Sequence, residues 1–210
     1  MIRVAAYVDG YNLYHAIDRT GQQPLKWLDL WALCDRFVPS RTGRLHAVHY
    51  FSAYATWLPP QARRHKTYVD ALEAKGVTAH MARFKEKDRR CPKEECGHRW
   101  KGHEEKETDV HLALALLDHA YRDLYDRALI VSRDSDLVPA ARFVREAFPD
   151  KEVYAVAPPG SGHSNDMLRV CDGKKHKIKT RHLSECLLPA RLVSEDGTEI
   201  VRPAAYDPVP

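Results

Sequence analysis

The sequence predicts an α/β fold built on a mainly parallel central sheet. Three observations carry that expectation. Short apolar runs alternate with helical periods along most of the chain. Several runs, such as Val4–Val8 and Ala128–Val131, are continuously apolar, as strands buried on both faces are. Aspartates stand where these runs break off. Strands that alternate with helices pair in parallel through right-handed crossovers. A chain of 210 residues is long enough for one sizeable core.

Arg3–Val8 reads as the first buried strand and Tyr11–Arg19 as the helix leaving it. Asp29–Val38 is a second helix, with Leu30, Leu33, Cys34 and Phe37 at helical spacing. Leu45–Tyr54, rich in β-branched and aromatic residues, is a strand. Pro59 and Pro60 open a helix that runs to Ala74 and is ended by Lys75-Gly76. Val77–Phe84 is a strand, Thr108–Tyr125 the longest helix and Ala128–Ser132 a strand. Leu137–Phe148 is a helix stopped by Pro149, and Glu152–Ala157 is the last strand.

Three segments break the alternation. Residues 85–105 form a charged insert with two cysteines and two histidines and no apolar period. Pro158–His163 is a Pro/Gly/Ser loop of the kind that caps a site or stays mobile. Arg191–Arg202 holds two short β-like runs around Asp196-Gly197, a hairpin signal. The expected organisation is an α/β unit over residues 1–188, then a C-terminal hairpin and a loose Pro-rich tail over 189–210.

Charge and cysteine content bound the function. The 33 basic and 29 acidic residues leave a formal charge of +4, so only its distribution can indicate a polyanionic partner. The first residues enter a strand without a basic-then-apolar leader, and no apolar stretch would span a bilayer. A cytoplasmic protein with no membrane partner is the expectation. Five cysteines, an odd number, favour reduced thiols over a disulfide framework.

The acids are the chemistry-bearing feature. Ligands of open α/β sheets collect beyond the carboxyl ends of the strands. Carboxylates crowded there repel one another unless a cation lies between them. Asp9 follows the first strand in VDGYN, where Gly10 permits a sharp exit and Asn12 lies one turn away; an aspartate there is equally an ordinary helix N-cap. Asp109 shares an apolar helical stripe with Leu112, Ala113 and Leu116, a costly place for an unpaired carboxylate. In SRDSD, Ser132 ends a strand, while Asp134 and Asp136 are spaced so that one ligates a cation and the other caps the next helix. Hard oxygen donors of this kind suit Mg²⁺ or Mn²⁺. Glu107 is a fifth acid or a solvated one.

VDGYNLYHA, KETDVHLALALLDHA and LIVSRDSDLVPAARFV, in that order, resemble the NYN domain, the LabA-like branch of the PIN-like nucleases. The resemblance covers Arg3 to Leu188 and implies a Rossmann-like three-layer sandwich with a metal-dependent ribonuclease centre. The family's acidic positions fall on Asp9, Asp109, Asp134 and Asp136, and its polar positions on Asn12 and Ser132. Ser164–Asp172 resembles a later family motif. Arg133 stands where a small residue is expected, and either grips substrate phosphate or pairs with an acid. Glu107 replaces an expected glycine. The implied reaction is hydrolysis of RNA phosphodiester bonds, with Asp9, Asp109 and Asp134 holding the metal and Asp136 orienting water or a second ion. Two other readings are a non-catalytic RNA-binding module and a phosphatase with a nucleophilic aspartate. The phosphatase is weakened by the late position of Asp134-Ser135-Asp136.

In CPKEECGHRWKGH, Cys91, Cys96 and His103 are candidate ligands of a structural Zn²⁺, the alternative being a charged surface loop. Basic residues cluster over Lys85–Lys106 and again over Lys174–Arg181, a distribution that would let an RNA backbone, single-stranded or structured, cross the acidic centre. Trp100 and His103 are candidates to stack on bases. Tyr7 and Tyr14 read as packing residues, and Tyr11 as the tyrosine that reaches the cleft. A homodimer is compatible with the sequence.

Overall fold

The computed structural model describes residues 1–208, the side chain of Glu94 apart. Seven strands form the main sheet: β1 (Ile2–Asp9), β2 (Gly43–Ala53), β3 (Thr78–Arg90), β4 (Arg99–Lys106), β5 (Arg127–Val131), β6 (Glu152–Ala157) and β7 (Lys175–Lys177). Their order is β4-β3-β2-β1-β5-β6-β7. All neighbours are parallel except β3 and β4. From β1 the chain moves outward through β2 to β4, then returns to β5 on the other side of β1 and moves outward again. The strand order therefore reverses between β1 and β5, and a crevice opens at their carboxyl ends.

Seven helices cover the sheet: α1 (Gly10–Asp18), α2 (Leu30–Asp35), α3 (Pro59–Glu73), α4 (Thr108–Tyr121), α5 (Val138–Ala147), α6 (Asn165–Val170) and α7 (Thr180–Glu185). The period of two along a strand sorts them into layers. Val4, Ala6 and Val8 pack with Leu13 and Ile17 of α1, Leu33 of α2, Leu72 of α3 and Leu183 of α7. Ala5 and Tyr7 pack on the opposite face with Leu112 and Leu116 of α4, Val144 of α5 and Met167 of α6. This is the expected three-layer α/β sandwich. Asp9 continues the Ala5–Tyr7 alternation, so it faces the α4 layer.

Four expectations are corrected. Residues 85–105 are not a structureless insert: β3 runs on to Arg90 and pairs antiparallel with β4, forming an arm at the sheet's edge. Charged residues on both faces hid its period. α4 stops at Tyr121 and, at 14 residues, is shorter than the 15-residue α3. Asp123 turns the chain at φ 52°, and Tyr125 folds back to donate its hydroxyl to the Leu116 carbonyl at 3.1 Å. The tract over Lys174–Arg181 contributes β7 and the start of α7, elements too short to show a period. The tail is packed rather than loose, as far as the described residues reach. β8 (Arg191–Val193) and β9 (Glu199–Val201) form the expected hairpin, with Gly197 at φ 86° in its turn. Beyond it Tyr206 joins Trp27, Ala71, Leu188 and Ile200 in a third apolar cluster. Residues 209–210 of the expected tail lie outside the described residues.

Tyr206 is only 8% exposed. Tyr206→Ala should therefore cost about 2–4 kcal/mol, as for other large-to-small changes in a core. Urea unfolding measures it, and a change within about 0.5 kcal/mol, typical of surface sites, would mean the tail is not part of the core.

Candidate functional site

The carboxyl ends of β1 and β5 are tied by a chain of hydrogen bonds. Asp9 is 5% exposed. Its Oδ1 accepts the Asn12 N–H at 2.9 Å, and its Oδ2 accepts the Ser132 hydroxyl at 2.7 Å. Ser132 Oγ in turn accepts the Asp134 N–H at 2.9 Å, and Asp134 Oδ1 accepts the Asp136 N–H at 2.9 Å. The Arg133 N–H reaches Asn12 Oδ1 at 3.4 Å. Asp9 thus caps α1 and borders the crevice. Asp134 caps the short turn of 3₁₀ helix at Ser135–Leu137.

The acids strain against one another. Burial pushes the Asp9 carboxyl up to about 7 from an ordinary 3.8, against the pull of its bonds from Asn12 and Ser132; repulsion from Asp109 and Glu105 adds to the rise. That shift corresponds to roughly 4 kcal/mol of net cost in keeping Asp9 charged. Asp109, half-buried at the start of α4, is raised by burial and by Asp134 and Asp136. Glu105 on β4 is raised by burial, against a 2.6 Å bond from the Thr108 hydroxyl, and by Asp109. All four predicted aspartates therefore gather at one place, with Glu105 as a fifth acid.

Glu105 is the residue that sequence reasoning missed. Glu107, the fifth acid considered, is exposed at φ 77° and pairs with Arg83 at 2.7 Å. Its backbone occupies the left-handed region that favours glycine, where a glycine was expected. The signal for Glu105 is the period of two along β4, which sets His103 and Glu105 on one face. Arg133 is exposed and outside the ion pairs among the described residues. It does not neutralise Asp134, so its guanidinium is available to a phosphate.

Among the described residues, no three His, Cys, Asp or Glu side chains converge closely enough to enclose a metal ion directly. The acids border an open crevice instead. Mg²⁺ or Mn²⁺ fits such a donor set, because Mg²⁺ keeps several waters and binds through one or two carboxylates plus substrate phosphate. The zinc trio fares differently. The Cys91 N–H bonds the His98 carbonyl at 2.8 Å near the arm's tip, whereas His103 lies five residues further down β4. At the strand rise that is about 16 Å. His103 stacks instead on Trp57, with ring centroids 3.7 Å apart. The structure does not bring Cys91, Cys96 and His103 together.

A cavity of about 270 Å³ opens beside α1. Gly10 and Tyr11 line it directly after Asp9. Gly10 is required by space: a Cβ there would lie 2.4 Å from the Tyr50 ring. Tyr11, 45% exposed, reaches this cavity, and burial and Glu105 both raise its hydroxyl pKa. The arm presents Phe84 and His103 to the cavity. Its other face carries Lys85, Lys87, Arg89 and Lys106 around Trp100, which stacks on His98.

The NYN domain model matches residues 3–179. A curated relative, the 6-hydroxy-3-succinoylpyridine 3-monooxygenase of Pseudomonas putida, is 28% identical over 225 residues, spanning 90% of this chain and 70% of the relative. A solved structure of a protein of unknown function from Vibrio parahaemolyticus superposes with a TM-score of 0.52 at 18% identity, over 89% of this chain and 96% of that one, and shares the fold alone.

The Asp9 pKa is higher folded than unfolded, so its stabilising contribution is complete below 3.8 and lost as pH rises through about 7. Asp9→Asn removes that loss. The melting temperature of the variant minus that of wild type should grow by at least about 3 °C between acidic and mildly alkaline buffer, the shift expected of ~1 kcal/mol in a chain of this size. Millimolar Mn²⁺ at the higher pH should narrow the gap by stabilising the wild type. A gap independent of pH would show that burial does not penalise the Asp9 charge.

Proposed function

The chain belongs to the NYN domain family, and from that premise we propose that it is a divalent-metal-dependent ribonuclease that hydrolyses RNA phosphodiester bonds at its aspartate cluster. The observation that carries this reading is the gathering of Asp9, Glu105, Asp109 and the Asp134–Asp136 turn, from four separate segments, where burial first and repulsion from neighbouring acids second raise the pKa values of Asp9, Glu105 and Asp109. A group of neighbouring acids, one of them buried, that disfavours its own ionisation is maintained at a cost, and a cation offsets that cost.

Bound Mg²⁺ or Mn²⁺ would supply charge neutralisation at the non-bridging phosphate oxygens and a more acidic water. Asp9, Asp109 and Asp134 would hold the ion, directly or through water. Ser132 fixes the Asp9 and Asp134 orientations at once, because its hydroxyl donates to one residue and accepts from the other. Glu105 and Asp136 would orient the attacking water and take its proton. Glu105 suits the proton-accepting role because its raised pKa lies closer to neutrality than an ordinary carboxylate's. Arg133 would meet the substrate phosphate, with Asn12 behind it. The basic face of the arm and the Lys177–Arg181 tract, at opposite edges of the sheet, would carry the RNA backbone on either side.

A second reading is favoured by one observation, the aromatic-walled cavity beside the acids. If the relative's printed activity extended to this chain, a hydroxylated pyridine acid would be the substrate, with molecular oxygen and a two-electron reductant as co-reactants.

End-labelled RNA incubated with Mn²⁺ decides between these. The wild type should cleave it, and Asp134→Asn should lose about 100-fold or more in rate, the scale seen when a group stabilising transition-state charge is removed. Equal weak cleavage by both proteins would reject the assignment. RNA retained without cleavage would mark a binding module, and reductant-dependent oxygen uptake with the pyridine acid would favour the oxidative reading.

A further inference from the structure

The cavity beside α1 is assigned no part in the metal-centred reaction, and its chemistry differs from that of the acid cluster. Aromatic side chains from separate segments line it: Tyr11 from α1, Tyr50 from β2, Trp57 ahead of α3 and Phe84 from the arm. Phe84 meets Trp57 edge-on at 4.6 Å and Tyr11 at 6.3 Å, while the Tyr50 hydroxyl lies 3.0 Å from His65 Nε2. Among the described residues no carboxylate lines the cavity, although two cationic side chains do, Lys26 and Arg64. Lys26 is already paired with Asp18. Arg64 is not fully used: its Nε is buried and has no hydrogen-bond partner.

We propose that this cavity binds a planar heteroaromatic ring bearing an anionic group, with the ring against Trp57 and Tyr11 and the anion directed to Arg64. The size is appropriate. At about 270 Å³ it falls just under the ~300–1,000 Å³ typical of sites for drug-sized ligands, so it takes one ring system and not a chain. The wall chemistry matches as well, since aromatic side chains accept any flat π-face, and an unopposed guanidinium favours a carboxylate or phosphate. Two sources supply that ligand chemistry. One is a nucleotide of an RNA substrate, whose base enters the cavity with one flanking phosphate at Arg64 and the other at the neighbouring acid cluster; this source rests on the ribonuclease reading. The other is a free small aromatic acid.

Full-length protein without divalent metal, so that nothing is cleaved, is titrated with a short RNA carrying one 2-aminopurine, with the same RNA abasic at that position, and with 6-hydroxynicotinate. Stacking should quench the 2-aminopurine fluorescence, and Trp57→Ala should weaken binding of the active probe by about 10-fold or more. Trp57→Phe should restore most of it, and Arg64→Gln should weaken it while leaving the melting temperature near wild type. Binding of the 2-aminopurine RNA over its abasic counterpart identifies the nucleotide source. Binding of the small acid alone identifies the other. Binding of neither probe, or equal binding by wild type and both Trp57→Ala and Arg64→Gln, overturns the proposal. The ribonuclease reading fails separately: RNA bound through its base but not cleaved on adding Mn²⁺ removes the nuclease and keeps the cavity. RNA cleaved at equal rates by wild type and Trp57→Ala, with no base-dependent quench and no small-acid binding, does the reverse.

Discussion

The hydrogen bond from Ser132 to Asp9 is the constraint on which the functional edge of this protein depends. It joins the ends of the two central strands, and it buries a carboxylate where water cannot solvate it. The penalty, roughly 4 kcal/mol on the charged form, is a large fraction of the 5–15 kcal/mol by which proteins of this kind are stable. A fold tolerates such a term only when the surrounding structure is strong, and here it is. β1 and β5 run parallel through the interior with every described side chain of β5 buried. The central sheet thus supplies the stability against which the acid edge is held.

The same alternation that builds the core also separates two chemistries. Odd-numbered residues of β1 face α4, and its even-numbered residues face α1. Asp9 turns its carboxylate toward the α4 side, and Gly10 and Tyr11 directly after it line the aromatic cavity beside α1. The arm serves both: Glu105 joins the acids, and His103, two residues earlier on the same strand face, stacks with Trp57 at the cavity. A single β-hairpin therefore touches the acid cluster and the ring-lined cavity together.

Much of this was legible in the sequence. The continuous apolar runs located β1, β5 and β6, because strands covered by helices on both faces carry no polar period to confuse them. Asp9, Asp109, Asp134 and Asp136 were legible because each breaks an apolar pattern at an element's end. What escaped was the edge. In the arm both strand faces meet solvent over most of their length, so its charges follow no hydrophobic period, and Glu105 was hidden among them. Glu107 drew attention instead because it occupies a turn position, and its side chain leaves for Arg83. The cavity was illegible for another reason. Its walls come from α1, β2, the start of α3, the arm and the tail, and no local pattern announces that such distant segments meet.

Tyr206 stands at the end of that list of walls and also in the third apolar cluster. It meets α1 across roughly 190 residues of sequence, among the longest loop closures the chain makes. The segment that makes this contact is held by a small cluster and a two-stranded hairpin, not by the central sheet. The acid cluster and the cavity therefore differ in what completes them. The cluster is built on the edge of the sheet, whereas the cavity owes one wall to the last turn of the described chain, and a chain trimmed of that turn would keep its carboxylates in register while losing part of the enclosure for a ring.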